Sequence, residues 1–129
     1  MNSIGISQKA VVVNDEGKLL AIRRSGTAPI GALTWDLPGG DLEFGEDPIE
    51  GMKREIKEET GLDVRVVTPY DVAARVHESN TYWVTIAYHA HASGEVKLSY
   101  EHDQYQWVSK KEFLALESRE KLRRFVERS

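Results

Sequence analysis

Short apolar, β-branched runs alternate with turn signals along this chain, and one long amphipathic segment breaks the rhythm. Residues 9–14 (KAVVVN) predict a buried strand, a turn falls at residues 15–17 (DEG), and residues 18–24 (KLLAIRR) predict the hairpin partner. Residues 25–34, rich in Gly, Ala and Pro, read as a loop. Residues 35–37 (WDL) predict a short strand that ends at Pro38, Gly39 and Gly40. Further strands are expected over residues 64–76, with Pro69 as an interruption or an edge mark, over the alternating run 81–92 (TYWVTIAYHAHA), and over 104–108. Ser109-Lys110-Lys111-Glu112 is a capping-box pattern that opens a helix, and a basic amphipathic helix anchored by Leu122 and Phe125 closes the chain. This order predicts an α/β fold, a mixed sheet with helices on its faces. With no repeat, linker or low-complexity segment, residues 1–129 are expected to form one domain.

The long amphipathic segment carries the chemistry. Asp47-Pro48 is a helix start, an N-cap acceptor followed by a residue suited to the first helical position, and Gly61 is a natural stop after Thr60. At about 100° per residue, Ile49, Met52 and Ile56 fall on one stripe that should face the core. Glu55, Glu58 and Glu59 stand at i, i+3 and i+4 on an adjacent face, where like charges repel. A divalent cation removes that conflict, and hard carboxylate oxygens suit Mg²⁺ or Mn²⁺. The alternative is an ordinary solvated face, since Glu50–Arg54 and Arg54–Glu58 are also i,i+4 pairs.

Between Gly40 and Leu62 the chain reads GDLEFGEDPIEGMKREIKEETGL, a span of 23 residues. Its Gly40, Glu46, Arg54, Glu55, Ile56, Glu58, Glu59, Gly61 and Leu62 fill every fixed position of the pattern that marks the Nudix hydrolases, and the segment resembles that family's signature box. The resemblance implies an α/β/α sandwich. It also implies metal-dependent attack of water on the pyrophosphate of a nucleoside diphosphate linked to another group X. By the same resemblance Glu58 and Glu59 would be metal ligands, with Glu59 also orienting or deprotonating water. Glu55 would be a ligand or an orienter of that water, and Arg54 would steady the glutamates. A backbone carbonyl of Gly39 or Gly40 would complete the metal shell, while Glu46 would close the loop against the helix. The segment EHDQYQW resembles a region of some Nudix subfamilies in which an additional acid reaches the metal, which makes Glu101 a candidate ligand and His102 a candidate substrate-binding residue or base. A proline marking ADP-ribose hydrolases and a tyrosine marking dinucleoside polyphosphate hydrolases are replaced here by His77 and by Glu78, Ser79 and Asn80. A MutT-like nucleoside triphosphate pyrophosphohydrolase is the first expectation, with hydrolysis of nucleotide sugars, ADP-ribose or dinucleoside polyphosphates, RNA 5′-end hydrolysis and a silent nucleotide sensor as alternatives.

Composition narrows the field further. A net charge of −4 and a pI near 5.6 argue against general nucleic-acid binding, which needs a basic surface, but not against a small phosphorylated substrate. No cysteine is present, which excludes a thiol nucleophile or a zinc-thiolate site. The opening MNSIGISQ lacks a basic region followed by an apolar run, and no apolar stretch is long enough to span a membrane, so a cytoplasmic protein without a leader is expected. Arg23 and Arg24 end a strand near the box, where one of them would fork onto phosphate. Trp35, Phe44 and Trp83 are candidates for stacking on a base. The aromatic strand from Tyr82 to Tyr88 is either core or the interface of a homodimer.

Overall fold

The computed structural model describes residues 2–129, Val66 through its backbone only; Met1 lies outside them. The elements run β1 (Ser3–Val13), β2 (Leu19–Arg24), β3 (Trp35–Asp36), β4 (Gly39–Asp41), α1 (Pro48–Thr60), β5 (Val64–Val76), β6 (Thr81–Ala92), β7 (His102–Val108), α2 (Lys110–Leu114) and α3 (Glu120–Arg128). The strands join one mixed sheet in the order β3-β2-β1-β6-β5, with β4 paired to β1 and β7 paired to β2. The β1–β6 ladder is parallel from Ser3↔Thr81 to Val13↔His91, and the other pairings are antiparallel.

Alternation along the central strands builds two cores, one on each side of the sheet. Ala10 and Val12 of β1, Leu20 and Ile22 of β2, and Tyr88 and Ala90 of β6 pack against Met52 and Ile56 of α1, with Ile49 at the margin. Val11, Leu19, Ala21 and Ala87 point the other way and meet Phe113 of α2 and Leu122, Phe125 and Val126 of α3. The result is the expected α/β/α sandwich.

Helix boundaries follow the local chemistry. Asp47 accepts a hydrogen bond from the Glu50 N–H, Pro48 opens α1, and Gly61 ends it in the left-handed region at φ 76°. Ser109 and Glu112 form the reciprocal capping box on α2. Two differences from the sequence reading stand out. β1 begins at Ser3 rather than residue 9, because the largely exposed stretch before Gln8 gains backbone partners along β6 that lie far away in sequence. Gly39–Asp41 forms β4 on the other side of β1. Pro69 marks an edge, the second of its two readings: β5 runs through it at the sheet edge, with a register shift at Pro69/Asp71.

Replacing Asp47 with Ala leaves a first-turn N–H of α1 without its side-chain acceptor. The expected loss is about 1 kcal/mol in urea-unfolding free energy, and an unchanged midpoint would show that the cap contributes nothing.

Candidate active site

The acids of α1 meet the β4 backbone at a corner of two glycines, the first of which is required. A Cβ on Gly39, which holds φ at 150°, would lie 1.9 Å from the Gln8 carbonyl oxygen of the paired strand. A Cβ on Gly40 would lie 2.8 Å from the carboxyl carbon and both oxygens of Glu55. The Gly39–Gly40 backbone can therefore lie directly against the carboxylates. The Gly39 N–H donates to Glu59 Oε1 at 3.1 Å, and Glu59 is only 5% exposed.

Arg54 organises the remaining acids. Its Nε and Nη2 donate to the two carboxylate oxygens of Glu46 at 2.7 and 3.1 Å, a bidentate clasp that ties the loop before α1 to the helix. Nη1 reaches Glu58 at 3.1 and 3.2 Å, and Nη2 also reaches Glu55 at 3.2 Å. Glu46 further accepts the Glu43 N–H. One guanidinium thus spans three glutamates and fixes the direction in which each points.

Burial pushes the Glu59 carboxyl up to about 8; Lys9 and the Gly39 N–H oppose that rise, while Asp36 and Glu55 add to it. Burial also raises Glu55, against the pull of Arg54. Glu46 is held below its ordinary value by Arg54. Among the described residues no three acid or histidine side chains gather as a ready-made ligand cluster. The reason is on the helix: Arg54 holds Glu55 and Glu58, while Glu59 turns to Gly39. The donor chemistry nevertheless fits a hard divalent cation, with carboxylates laid against a glycine backbone whose own carbonyls are the other available oxygens.

A second charged centre was missed in the sequence. Asp36 is fully buried and receives Lys9 Nζ at 3.0 Å, Arg24 Nη1 at 3.2 Å and His102 Nε2 at 3.3 Å, with Arg119 Nη2 at 3.7 Å. Burial alone would raise its carboxyl, but Lys9, His102 and Arg119 together hold it well below the usual carboxylate range. Lys9 also donates to the Leu37 carbonyl and lies close enough to Glu59 to act on its charge. The available signal was a charged residue embedded in each of two apolar runs, Lys9 before Ala10–Val13 and Asp36 between Trp35 and Leu37.

This centre corrects several expectations. His102 is buried against Asp36, so its imidazole braces the charged centre instead of reaching a ligand from an open loop. Arg24 is committed to Asp36 and to the Ile30 carbonyl. Arg23 forks onto Asp103 at 2.9 and 2.8 Å, so its guanidinium is already satisfied. Trp35 lies in the second core beside Leu37 and Phe113 and offers no face for stacking. Phe44 is fully exposed on the loop before α1, and half-buried Trp83 lies with it along a cleft of about 450 Å³ beside Glu43 and Glu46. Glu101 is exposed, and its backbone carbonyl accepts the Ser25 N–H.

The NUDIX domain family model matches residues 5–129. The chain is 38% identical over 106 residues to a MutT-like protein of Streptomyces ambofaciens, covering 81% of this chain and 63% of that protein. It is 36% identical over 87 residues to an 8-oxo-dGDP phosphatase of Mus musculus, covering 67% of this chain and 25% of that protein. The chain therefore spans less than two thirds of the length of either curated relative. Among solved structures it resembles the MutT protein of Methanosarcina mazei Go1, with 36% identity, a TM-score of 0.80, and 98% and 93% of the two chains covered. It also resembles a MutT NUDIX hydrolase of Burkholderia pseudomallei, with 28% identity, a TM-score of 0.84 and 98% of each chain covered.

A pH test follows from Glu59. A carboxyl whose folded pKa is raised contributes most to stability below its ordinary value and loses that contribution as pH rises through about 8. In chelator-treated protein, Glu59→Gln should match the wild type near pH 4.5 and exceed its unfolding free energy at pH 9 by ~2 kcal/mol. Urea titrations at both pH values measure this; a variant less stable at pH 9 would contradict the assigned burial.

Proposed function

Because the chain belongs to the Nudix family, whose enzymes are pyrophosphohydrolases, we propose that it hydrolyses nucleoside triphosphates to the monophosphate and pyrophosphate with Mg²⁺, Mn²⁺ serving in its place. The observation that carries this reading is the Arg54-organised set of Glu55, Glu58 and Glu59 against the Gly39–Gly40 backbone. Those three carboxylates and the Gly40 carbonyl would hold the cation, and Glu101 is the one candidate ligand contributed from outside the box. The bound cation neutralises charge on the phosphate oxygens and lowers the pKa of a coordinated water.

The chain's own residues supply the remainder. Arg54 contacts Glu55 and Glu58 and holds Glu46 through both carboxylate oxygens, so it would keep the helix and its loop registered while the glutamates hold the cation. Glu59, buried and held by the Gly39 N–H, would orient or deprotonate the attacking water from beside the cation. Lys9 stands behind it, limiting the rise of its carboxyl and coupling it to Asp36. Glu46 acts through Arg54 and is a positioning residue.

A nucleotide substrate is in keeping with the nucleoside diphosphate named for the mouse relative, and the narrower choice of triphosphates rests on the likeness to the MutT-like protein of Streptomyces ambofaciens and the MutT protein of Methanosarcina mazei. Two measurements check the proposal. A screen of product release over nucleoside triphosphates, nucleotide sugars, dinucleoside polyphosphates and 5′-triphosphate RNA should show pyrophosphate and monophosphate from the triphosphates; turnover confined to nucleotide sugars would sink the substrate assignment. Glu58→Gln and Glu59→Gln should each lower kcat about 100-fold or more while the protein stays folded, and wild-type rates in both would overturn the site.

A further inference from the structure

The α1 side of the sheet carries an apolar surface that α1 does not reach. The helix begins over Gln8, whose side chain donates to the Pro48 carbonyl and to the Tyr88 hydroxyl. Beyond that point the cross-strand rows run Ile4–Tyr82–Val76 and Ile6–Val84–Ala74, from β1 across β6 to β5, with Val72 next along β5. Residues opposite one another on paired strands point to the same face, so these side chains form one surface. All but the half-buried Val84 are exposed, Ile4 at 74%. A solvated sheet face is ordinarily the polar one, yet this face carries no charged side chain. On the opposite face at the same end the chain covers itself: Trp83 packs over Gly5, where a Cβ would come within 2.5 Å of the ring.

The surface continues past β1, where Ile4 and Ile6 line the cleft of about 450 Å³ together with Leu42 and Phe44. The carboxylates beside that cleft, Glu43 and Glu46, are held by Arg54. Ile4, Ile6, Phe44, Val72, Val76 and Tyr82 together leave on the order of 800 Å² in water, more than the ~300–600 Å² of the largest patch on an ordinary monomer. Each partner of a standard interface covers about the same area, ~800 Å². The neighbouring sheet edge is already blunted. The Val72 N–H donates to Asp71 Oδ1 at 2.8 Å, the Val72 carbonyl accepts Arg124 Nη2 at 3.3 Å, and Pro69 lies farther back on the same strand. The face is open where the edge is closed.

We propose that this face is the contact between two copies of the chain, packed sheet to sheet about a two-fold axis along β6. Such an axis lays β5 of each copy over β1 of the other, so that Val72 and Val76 meet Ile4 and Ile6 while Tyr82 stands near the axis. Each chain carries a net charge of −4, which opposes association, but a contact built from uncharged side chains brings no like charges together. The aromatic strand read as core or interface is divided between the two: Tyr88 is buried in the core, and Tyr82 is open on this face. The pairing does not depend on which substrate the α1 acids serve.

The experiment has two arms on the full chain. Sedimentation velocity should show a dimer at micromolar concentration. Ile4→Lys and Val76→Lys should each raise the dimer Kd at least tenfold with an unchanged circular dichroism spectrum, whereas Ile30→Lys, at a comparably exposed apolar position away from this face, should behave as the wild type. The chain has no cysteine, so Tyr82→Cys supplies a single thiol. A short bis-maleimide should join it to its counterpart in the second copy, and should leave Ile30→Cys unjoined. If a lysine variant fails to fold, the thiol arm decides alone. A monomer throughout the micromolar range would overturn the pairing. A dimer that survives both lysine variants would overturn the face, and one broken by them but never joined through Tyr82→Cys would overturn the axis along β6. A monomer that floats with phosphatidylcholine vesicles would give the face to a lipid surface instead of a second copy.

Discussion

The buried carboxylate of Asp36 is the contact on which the rest of the structure depends. An unpaired charge inside a protein is prohibitively costly, so its partners must arrive together and with good geometry. They come from different places in the chain: Lys9 from β1, Arg24 from β2, His102 from β7 and Arg119 from the start of α3. One anion therefore fixes the relative positions of three strands and a helix. One of its partners also leads elsewhere, since Lys9 lies close enough to Glu59 to act on its charge.

The α1 acids are arranged on the same principle with the signs reversed. Arg54 is a cation shared among Glu46, Glu55 and Glu58. Its bidentate clasp on Glu46 is geometrically specific, while its contacts with Glu55 and Glu58 are longer and partly exposed. The acids are held near one another without being neutralised together. Glu59, the most buried of them, receives a backbone N–H rather than a full charge. Such a set is organised but still electrostatically hungry, a condition suited to binding a hard cation reversibly.

The parts of this architecture that were legible in the sequence are those set by local chemistry. Asp47-Pro48 and Gly61 bound α1, Ser109 and Glu112 bound the start of α2, and the spacing of Met52 and Ile56 identifies the buried stripe. The parts that were not legible depend on partners distant in sequence. The first half of β1 carries no strand signal because its partners lie on β6. Arg23, Arg24 and His102 looked available for ligands because Asp103 and Asp36 could not be placed against them without the β2–β7 and β2–β3 pairings. Trp35 looked like a stacking surface because the helix that covers it, α3, begins more than 80 residues later. Lys9 and Asp36 stood in plain view, but a charge inside an apolar run gains meaning only once its counter-charge is found.

The parallel β1–β6 ladder joins positions 78 residues apart, with Ser3 opposite Thr81. Closing so long a loop costs chain entropy before any contact repays it, which slows the formation of such a pairing. Helix α1 lies within that loop, and its glycine-lined seat is built on β1. The glutamates share one face of α1 by local spacing, but the Gly39–Gly40 backbone against which they lie is in place only where β4 has paired with β1. The candidate active-site corner is thus a product of completed topology, so a segment excised around the signature would retain its residues but have no surface on which to become a site.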